Sequence, residues 1–255
     1  MKTLLATTAI GAMMTVGAQA ATMSGSTGGT FTAVVDGYNV DGSGPTAVWP
    51  LDNDWSECSL FFGCSTQTTG KSTLTIEDYG FNSNVTTPGA VTVGQISWHN
   101  AASQAQGDGS LWGGNQYPGT DPKFTLNADM SIDYAQPTDL PATSQSLSFS
   151  VRNTDNPTGD KISSLIFNNL NYGSVLPLDL GEGLTVTGYS FELVDGTYST
   201  FNAATGKWTL QEDRSATLRI VANVDVAPVP LPAAGLMLLG GLGGLAAVGR
   251  RKKQS

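Results

Sequence analysis

Several side chains in this 255-residue chain have the type and spacing to do chemistry. Trp49, Trp55, Trp112 and Tyr117 stand in stretches rich in Gly and Pro, where an exposed ring offers an apolar face on which a sugar stacks. The same rings serve equally well to cap the open ends of a β core, an indole N–H then finding a nearby carbonyl. Asn153, Asp155 and Asp160 fall within Asn153-Thr-Asp-Asn-Pro-Thr-Gly-Asp160, a run of the oxygen donors that calcium takes. The run lacks the fixed spacing and closing Glu of an EF-hand, and a tight turn uses the same residue types. Calcium is therefore a weak expectation, and no other cofactor is expected.

Cys58 and Cys64 are the two cysteines of the chain. In an oxidising compartment such an isolated pair forms a disulfide, and a loop this short gains about 2 kcal/mol at most, enough to pin a hairpin or loop but not a fold. Zinc would want four ligands, and the chain holds a single histidine, His99.

No residue is assigned a catalytic role. His99 follows Trp98 with no Gly-x-Ser-x-Gly elbow around it and reads as a structural histidine. Glu77 with Asp78, and Glu212 with Asp213, are expected to point to opposite faces of a strand and so not to share one substrate as neighbours. Gly70-Lys71-Ser72 imitates the end of a phosphate-binding loop, but Ser65 stands where that loop needs Gly.

The two ends of the chain say where these groups work. Lys2, an apolar run from Leu4 to Val16 and small residues at Ala18 and Ala20 form a secretory signal, with signal peptidase expected to cut between Ala20 and Ala21. At the other end Val229-Pro230-Leu231-Pro232-Ala233 precedes an apolar run to Val248, closed by Arg250, Arg251, Lys252 and Lys253. At about 1.5 Å per residue a helix from Pro232 to Gly249 reaches roughly 27 Å, just enough to cross a hydrocarbon core. Gly235, Gly240, Gly241, Gly243 and Gly244 make it a weak anchor, and its basic end stays in the cytoplasm, leaving the rest of the chain outside. The expected organisation is a signal peptide at 1–20, one domain at 21–226 and a sorting tail at 227–255.

The Pro-rich motif, apolar helix and basic end, in that order, resemble the PEP-CTERM class of bacterial sorting tails in its VPLPA variant. That resemblance implies an exosortase-type membrane protease as partner, passage through the inner membrane, and a final place at the cell surface or outside the cell.

The domain between the signals carries all twenty-one acidic residues but only Lys71, Lys123, Arg152, Lys161, Lys207, Arg214 and Arg219 as cations, so seven minus twenty-one leaves −14. Such a charge keeps an exported protein soluble and repels nucleic acid. Its apolar residues alternate: Phe124, Leu126, Ala128, Met130, Ile132 and Tyr134 take one face of a strand, and Leu147, Phe149 and Val151, then Leu218, Ile220, Ala222 and Val224, repeat the period. Val91 and Val93 change phase to Ile96 and Trp98 across Gly94, and Leu184 and Val186 to Tyr189 and Phe191 across Gly188; a glycine at a phase flip predicts a β-bulge. With shorter runs at Gly29–Val35, Ser72–Ile76, Ile162–Phe167 and Lys207–Gln211 there are about nine or ten strands, and the fold class is all-β: an antiparallel β-sandwich of jelly-roll type.

Gly29-Thr-Phe-Thr, Ser72-x-Leu-x-Ile leading to Tyr79-x-Phe81, Val93-Gly94-x-Ile96-x-Trp98-His99-Asn100 and the Asn153-Thr154 turn resemble the choice-of-anchor K domains. These are exported bacterial modules, and the resemblance implies a β-rich extracellular domain with no catalytic residues. Two functions from different classes follow: a non-enzymatic exported domain sorted by its tail, or a carbohydrate-binding module that retains matrix polysaccharide. A glycosidase ranks last.

Overall fold

The clearest alternation in the sequence becomes the centre of a sheet. In the computed structural model, Phe124–Gln136 is one 13-residue strand. Phe124, Leu126, Ala128, Met130, Ile132 and Tyr134 are all buried, with Thr, Asn, Asp and Ser between them on the opposite face. The structure describes residues 20–37, 39–49, 54–59, 63–68, 70–101, 123–152, 160–163 and 176–227, of which 54–59, 63–68, 143–145 and 160–163 are described by backbone alone.

Among the described residues there is no helix, and every ladder between the strands, numbered in chain order, is antiparallel. One sheet runs from edge to edge through Ser199–Asn202 (β13), Lys207–Leu210 (β14), Asp160–Ser163 (β10), Thr143–Arg152 (β9), Phe124–Gln136 (β8), Ala21–Val35 (β1) and Tyr79–Val85 (β6). The other runs through Leu178–Gly181 (β11), Leu184–Leu193 (β12), Arg214–Val226 (β15), Gly89–Asn100 (β7), Ser72–Ile76 (β5) and Thr46–Trp49 (β2). Asp54–Ser59 (β3) and Gly63–Thr68 (β4) form a separate two-stranded hairpin. Fifteen strands exceed the nine or ten expected from the sequence, the additions being short or built from small polar residues.

The two large sheets face each other over one apolar cluster to which both contribute. Three edge-to-face ring pairs cross the gap: Trp98 of β7 with Trp208 of β14 at 5.2 Å, Trp49 of β2 with Phe124 of β8 at 5.4 Å, and Phe191 of β12 with Phe201 of β13 at 6.0 Å. Such pairs add about 0.5–1.5 kcal/mol each to what their burial contributes. Ala20–Val226 is one compact unit.

Both predicted bulges are present. In the β15–β7 ladder Ile220 pairs with Gly94 and Val221 with Thr92, leaving Val93 as the extra residue; in the β12–β15 ladder Thr187 is skipped between Val186 and Gly188. The carbonyl of Val93, freed from its ladder, accepts the buried hydroxyl of Thr27 from β1 in the opposite sheet. A Cβ on Gly94 would lie 2.9 Å from Ile220 Cδ1 and 3.0 Å from Thr27 Cγ2, so a side chain there would have to displace its neighbours.

The registers give the domain two poles. At one, β1 starts with Ala21 opposite Val85, β7 starts with Gly89 opposite Val224, and β15 ends with Val226 opposite Leu184. At the other, β1 ends beside the start of β8, β2 ends at Trp49 opposite Ser72, β7 ends at Asn100 opposite Arg214, and β10 starts at Asp160 opposite Leu210. The Trp49–Phe124 contact confirms that these ends of the two sheets coincide. The chain therefore enters and leaves the domain at one pole and extends its longest connections from the other.

Candidate functional site

The second pole is where the strands flanking three connections begin and end. Residues 50–71, including the β3–β4 hairpin, connect β2 to β5; residues 101–123 connect β7 to β8; residues 153–159 connect β9 to β10. All three connections leave from strand ends that the registers bring together, although they are far apart in sequence.

Beneath them lies a buried polar cluster. Asn100 Nδ2 donates to the Leu210 carbonyl at 3.1 Å, across the gap between the sheets, and the Ala101 N–H donates to Ser72 Oγ at 3.1 Å. Ser72 and Asn100 are both fully buried. A buried polar group left without such partners costs about 1–3 kcal/mol, so this cluster holds the last turn of β7, and with it the start of the 101–123 connection, in one place. Ser72 faces the core at the start of a strand, which is not the geometry of a phosphate loop.

Trp49 is a correction to the expectation of a sugar-stacking ring: its side chain is 0 % exposed and stacks edge-on against Phe124. The physical reason is its position on β2, where alternation turns Ala47 and Trp49 inward together. Trp55 belongs to β3, opposite Gln67. Trp112, Tyr117, Asn153 and Asp155 lie outside the described residues; Asp160 opens β10. Among the described residues no group of His, Cys, Asp and Glu gathers as a metal site. The signal around Ala18, Ala20 and Ala21 is described only from residue 20, and Val229, Pro230, Leu231, Pro232 and Ala233 lie outside the described residues. No helix among the described residues is long and apolar enough to cross a membrane.

Cys58 and Cys64 stand directly opposite each other in the β3–β4 ladder. Opposed residues of an antiparallel pair have Cα atoms about 4.5–5.5 Å apart, within the span a disulfide bridges. His99 is exposed near the end of β7, its Nδ1 3.0 Å from Ser215 Oγ on the residue it pairs with in β15. The two carboxylate pairs correct a second expectation: Glu77 and Asp78 form the connection between β5 and β6, and Glu212 and Asp213 the turn between β14 and β15, so strand alternation does not separate them. Asp213 adopts a left-handed φ of 56°, which a strand does not allow and Asp tolerates.

Two groups titrate away from their ordinary ranges. Burial pushes the Tyr189 phenol up, against the opposing effect of its hydrogen bond with Tyr134. The Asp195 carboxylate, in the turn after β12, is held below its ordinary range by the hydroxyl and then the backbone N–H of Thr197, at 2.7 and 2.9 Å.

One feature of this pole was not anticipated. At the ends of β1, β8 and β9 there is a depression of about 370 Å³ lined by Asp36, Lys123, Phe124, Thr125, Ser150, Val151 and Arg152, the side chains of Phe124 and Val151 being buried in the core. Phe124 pairs with Val151 at the end of the β8–β9 ladder, Lys123 and Arg152 are the next residue on each side, and Arg152 is paired with Lys161 of β10. Nothing in the linear sequence marks these residues as neighbours; only the register joins them. The chain matches no protein-family model and no curated protein.

Proposed function

We propose that this chain is an exported, non-enzymatic β-sandwich of jelly-roll type, delivered to the cell surface or the extracellular matrix. Signal peptidase removes the first twenty residues, and an exosortase-type membrane protease processes the VPLPA tail. The jelly-roll reading is supported by the alternation of β5, β6, β7 and β8 between the two sheets. The resemblances to PEP-CTERM tails and choice-of-anchor K domains support the route of export, as does the acidic balance of the domain between the signals.

The observation that carries the reading is the polarity of the domain. Val226, where the chain leaves β15 toward the tail, is at the pole opposite the long connections. A tether that continues from Val226 therefore joins the domain at the pole from which those connections do not start. Intact-mass measurement of the cell-associated or released protein tests the processing: a chain beginning at Ala21 and ending within or close to Val229–Ala233 is expected. A mass that retains residues 234–255 overturns it and leaves a permanent membrane anchor.

A second reading rests on Trp55, Trp112 and Tyr117 in Gly- and Pro-rich stretches whose flanking strands end at that pole: the domain is a carbohydrate-binding module that retains polysaccharide. Glycan-array binding that Trp112→Ala abolishes supports it, and an array without signal removes it.

A further inference from the structure

We infer that the depression between Lys123 and Arg152 is a binding site for an acidic saccharide residue, whose carboxylate the two cations hold. The inference adopts the carbohydrate-binding reading but names a different site and a charge requirement that reading lacks.

The argument starts from a misfit. This domain has three times as many carboxylates as cations, yet Lys123 and Arg152, both exposed, form no ion pair or side-chain hydrogen bond with any described residue. They flank the last pair of the β8–β9 ladder and line one depression, and Arg152 is paired with Lys161 of β10. Like charges directly opposite on a sheet destabilise it. A row of cations across three neighbouring strands is thus a local cost that an anion would remove.

The shape and lining select among anions. About 370 Å³ lies within the range of small-molecule sites and exceeds what a single inorganic ion fills. Thr125 and Ser150 bring hydroxyls to the depression beside the two cations, and Asp36 brings an acceptor. A sugar acid has the complementary set: a carboxylate for Lys123 and Arg152, and ring hydroxyls to pair with Thr125 and Ser150 and to donate to Asp36. Arg152 supplies the planar fork that meets a carboxylate with two parallel bonds. The −14 charge of the whole domain repels a polyanion at long range, but in physiological saline that repulsion is screened beyond about 8 Å while contacts in the depression persist.

Titration calorimetry on the mature exported protein, in saline, tests this with a linear uronic-acid trisaccharide, a neutral hexose trisaccharide and inorganic phosphate. The uronate is expected to bind, the neutral sugar to bind at least ten-fold more weakly, and phosphate to compete only weakly. Lys123→Gln and Arg152→Gln are each expected to weaken uronate binding by about five-fold, as for exposed charge pairs. Lys207→Gln, the same charge change at the far end of β14, is expected to leave it unaltered. The proposal is overturned if the neutral sugar binds as well as the uronate, if Lys207→Gln weakens binding equally, or if phosphate competes fully. If Trp112→Ala abolishes glycan binding while both cation variants retain it, the carbohydrate-binding reading stands and this site falls. If no saccharide binds, both fall. The thermal midpoint gives a second measurement that needs no ligand: relief of the clustered charges is expected to raise it in Lys123→Gln, and a fall overturns the claim that the row is unfavourable.

Discussion

The hydroxyls of Tyr134 and Tyr189 meet at 2.7 Å across the gap between the two sheets. Tyr134 is buried and Tyr189 partly so, and burial holds the Tyr189 phenol in its neutral form above the ordinary 10.0. A raised acid binds its proton more tightly in the folded chain than in the unfolded one. Its stabilisation is therefore complete below pH 10 and is lost as the pH rises through the folded value. Tyr189→Phe is expected to cost about 1 kcal/mol at neutral pH, the net worth of one hydrogen bond. It is also expected to flatten the alkaline limb of a stability–pH curve measured by urea unfolding. An unchanged alkaline limb would show that Tyr189 is not the group responsible.

Ser199 links two elements of the core. Trp208 Nε1 donates to Ser199 Oγ at 2.8 Å, and Ser199 Oγ donates to the Thr209 carbonyl at 2.9 Å. Trp208 is fully buried, so Ser199→Ala strands an indole N–H away from water. A loss of about 1–3 kcal/mol is expected in denaturant unfolding. Ser199→Thr, which keeps the acceptor, is expected to recover part of it.

Gly25 and Gly80 are contrasting tests of how closely β1 is enclosed. A Cβ at Gly25 would lie 2.0 Å from the Asp133 carbonyl oxygen, a backbone atom that cannot turn aside, whereas one at Gly80 would meet nothing within 4 Å. Gly25→Ala is expected to destabilise by about 1–3 kcal/mol or more through forced displacement of β8. Gly80→Ala is expected to be neutral or to stabilise by about 0.4–1 kcal/mol, through the unfolded chain. Thermal unfolding of the two variants side by side decides between them.

For the β3–β4 hairpin the expectation is a disulfide between Cys58 and Cys64, opposed in the ladder. Peptide mass mapping of freshly isolated protein under non-reducing conditions should recover the two segments joined. Reduction should lower stability by no more than about 2 kcal/mol, because so few residues are enclosed. Two free thiols in the isolated protein would remove the bridge.

Where side chains alternate strictly, the fold is readable from composition alone: the six inward residues of β8 needed no structure to be found, and Gly94 and Gly188 marked their bulges because a phase flip has no other simple cause. The first half of β1, Ala21-Thr-Met-Ser-Gly-Ser-Thr-Gly, was not readable as a strand. Its small residues answer to neighbours in space, such as the Asp133 carbonyl over Gly25 and Ile76 beside Gly29, rather than to local propensity. Glu77-Asp78 and Glu212-Asp213 were misplaced because a polar pair next to a run that alternates looks the same on a strand as in a tight turn. Trp49 was misjudged by the company of Pro50, when the alternation with Ala47 already turned it inward. The cationic row lay wholly beyond sequence reasoning. Lys123, Arg152 and Lys161 acquire a common meaning only once β8, β9 and β10 are set side by side.

The two poles also make the domain mechanically directional. β15 is paired on both sides along most of its 13 residues, and it ends at the pole where the chain leaves. Tension between Val226 and anything gripped at the opposite pole runs along that strand, while the hydrogen bonds to β7 and β12 lie across the pull. Those bonds share the force and must break together. Tension between Ala20 and Val226 instead acts at a single end, prying β1 and β15 from their sheets one pair at a time. A tether at Val226 and a ligand at the far loops thus load this protein in shear, along its more resistant axis.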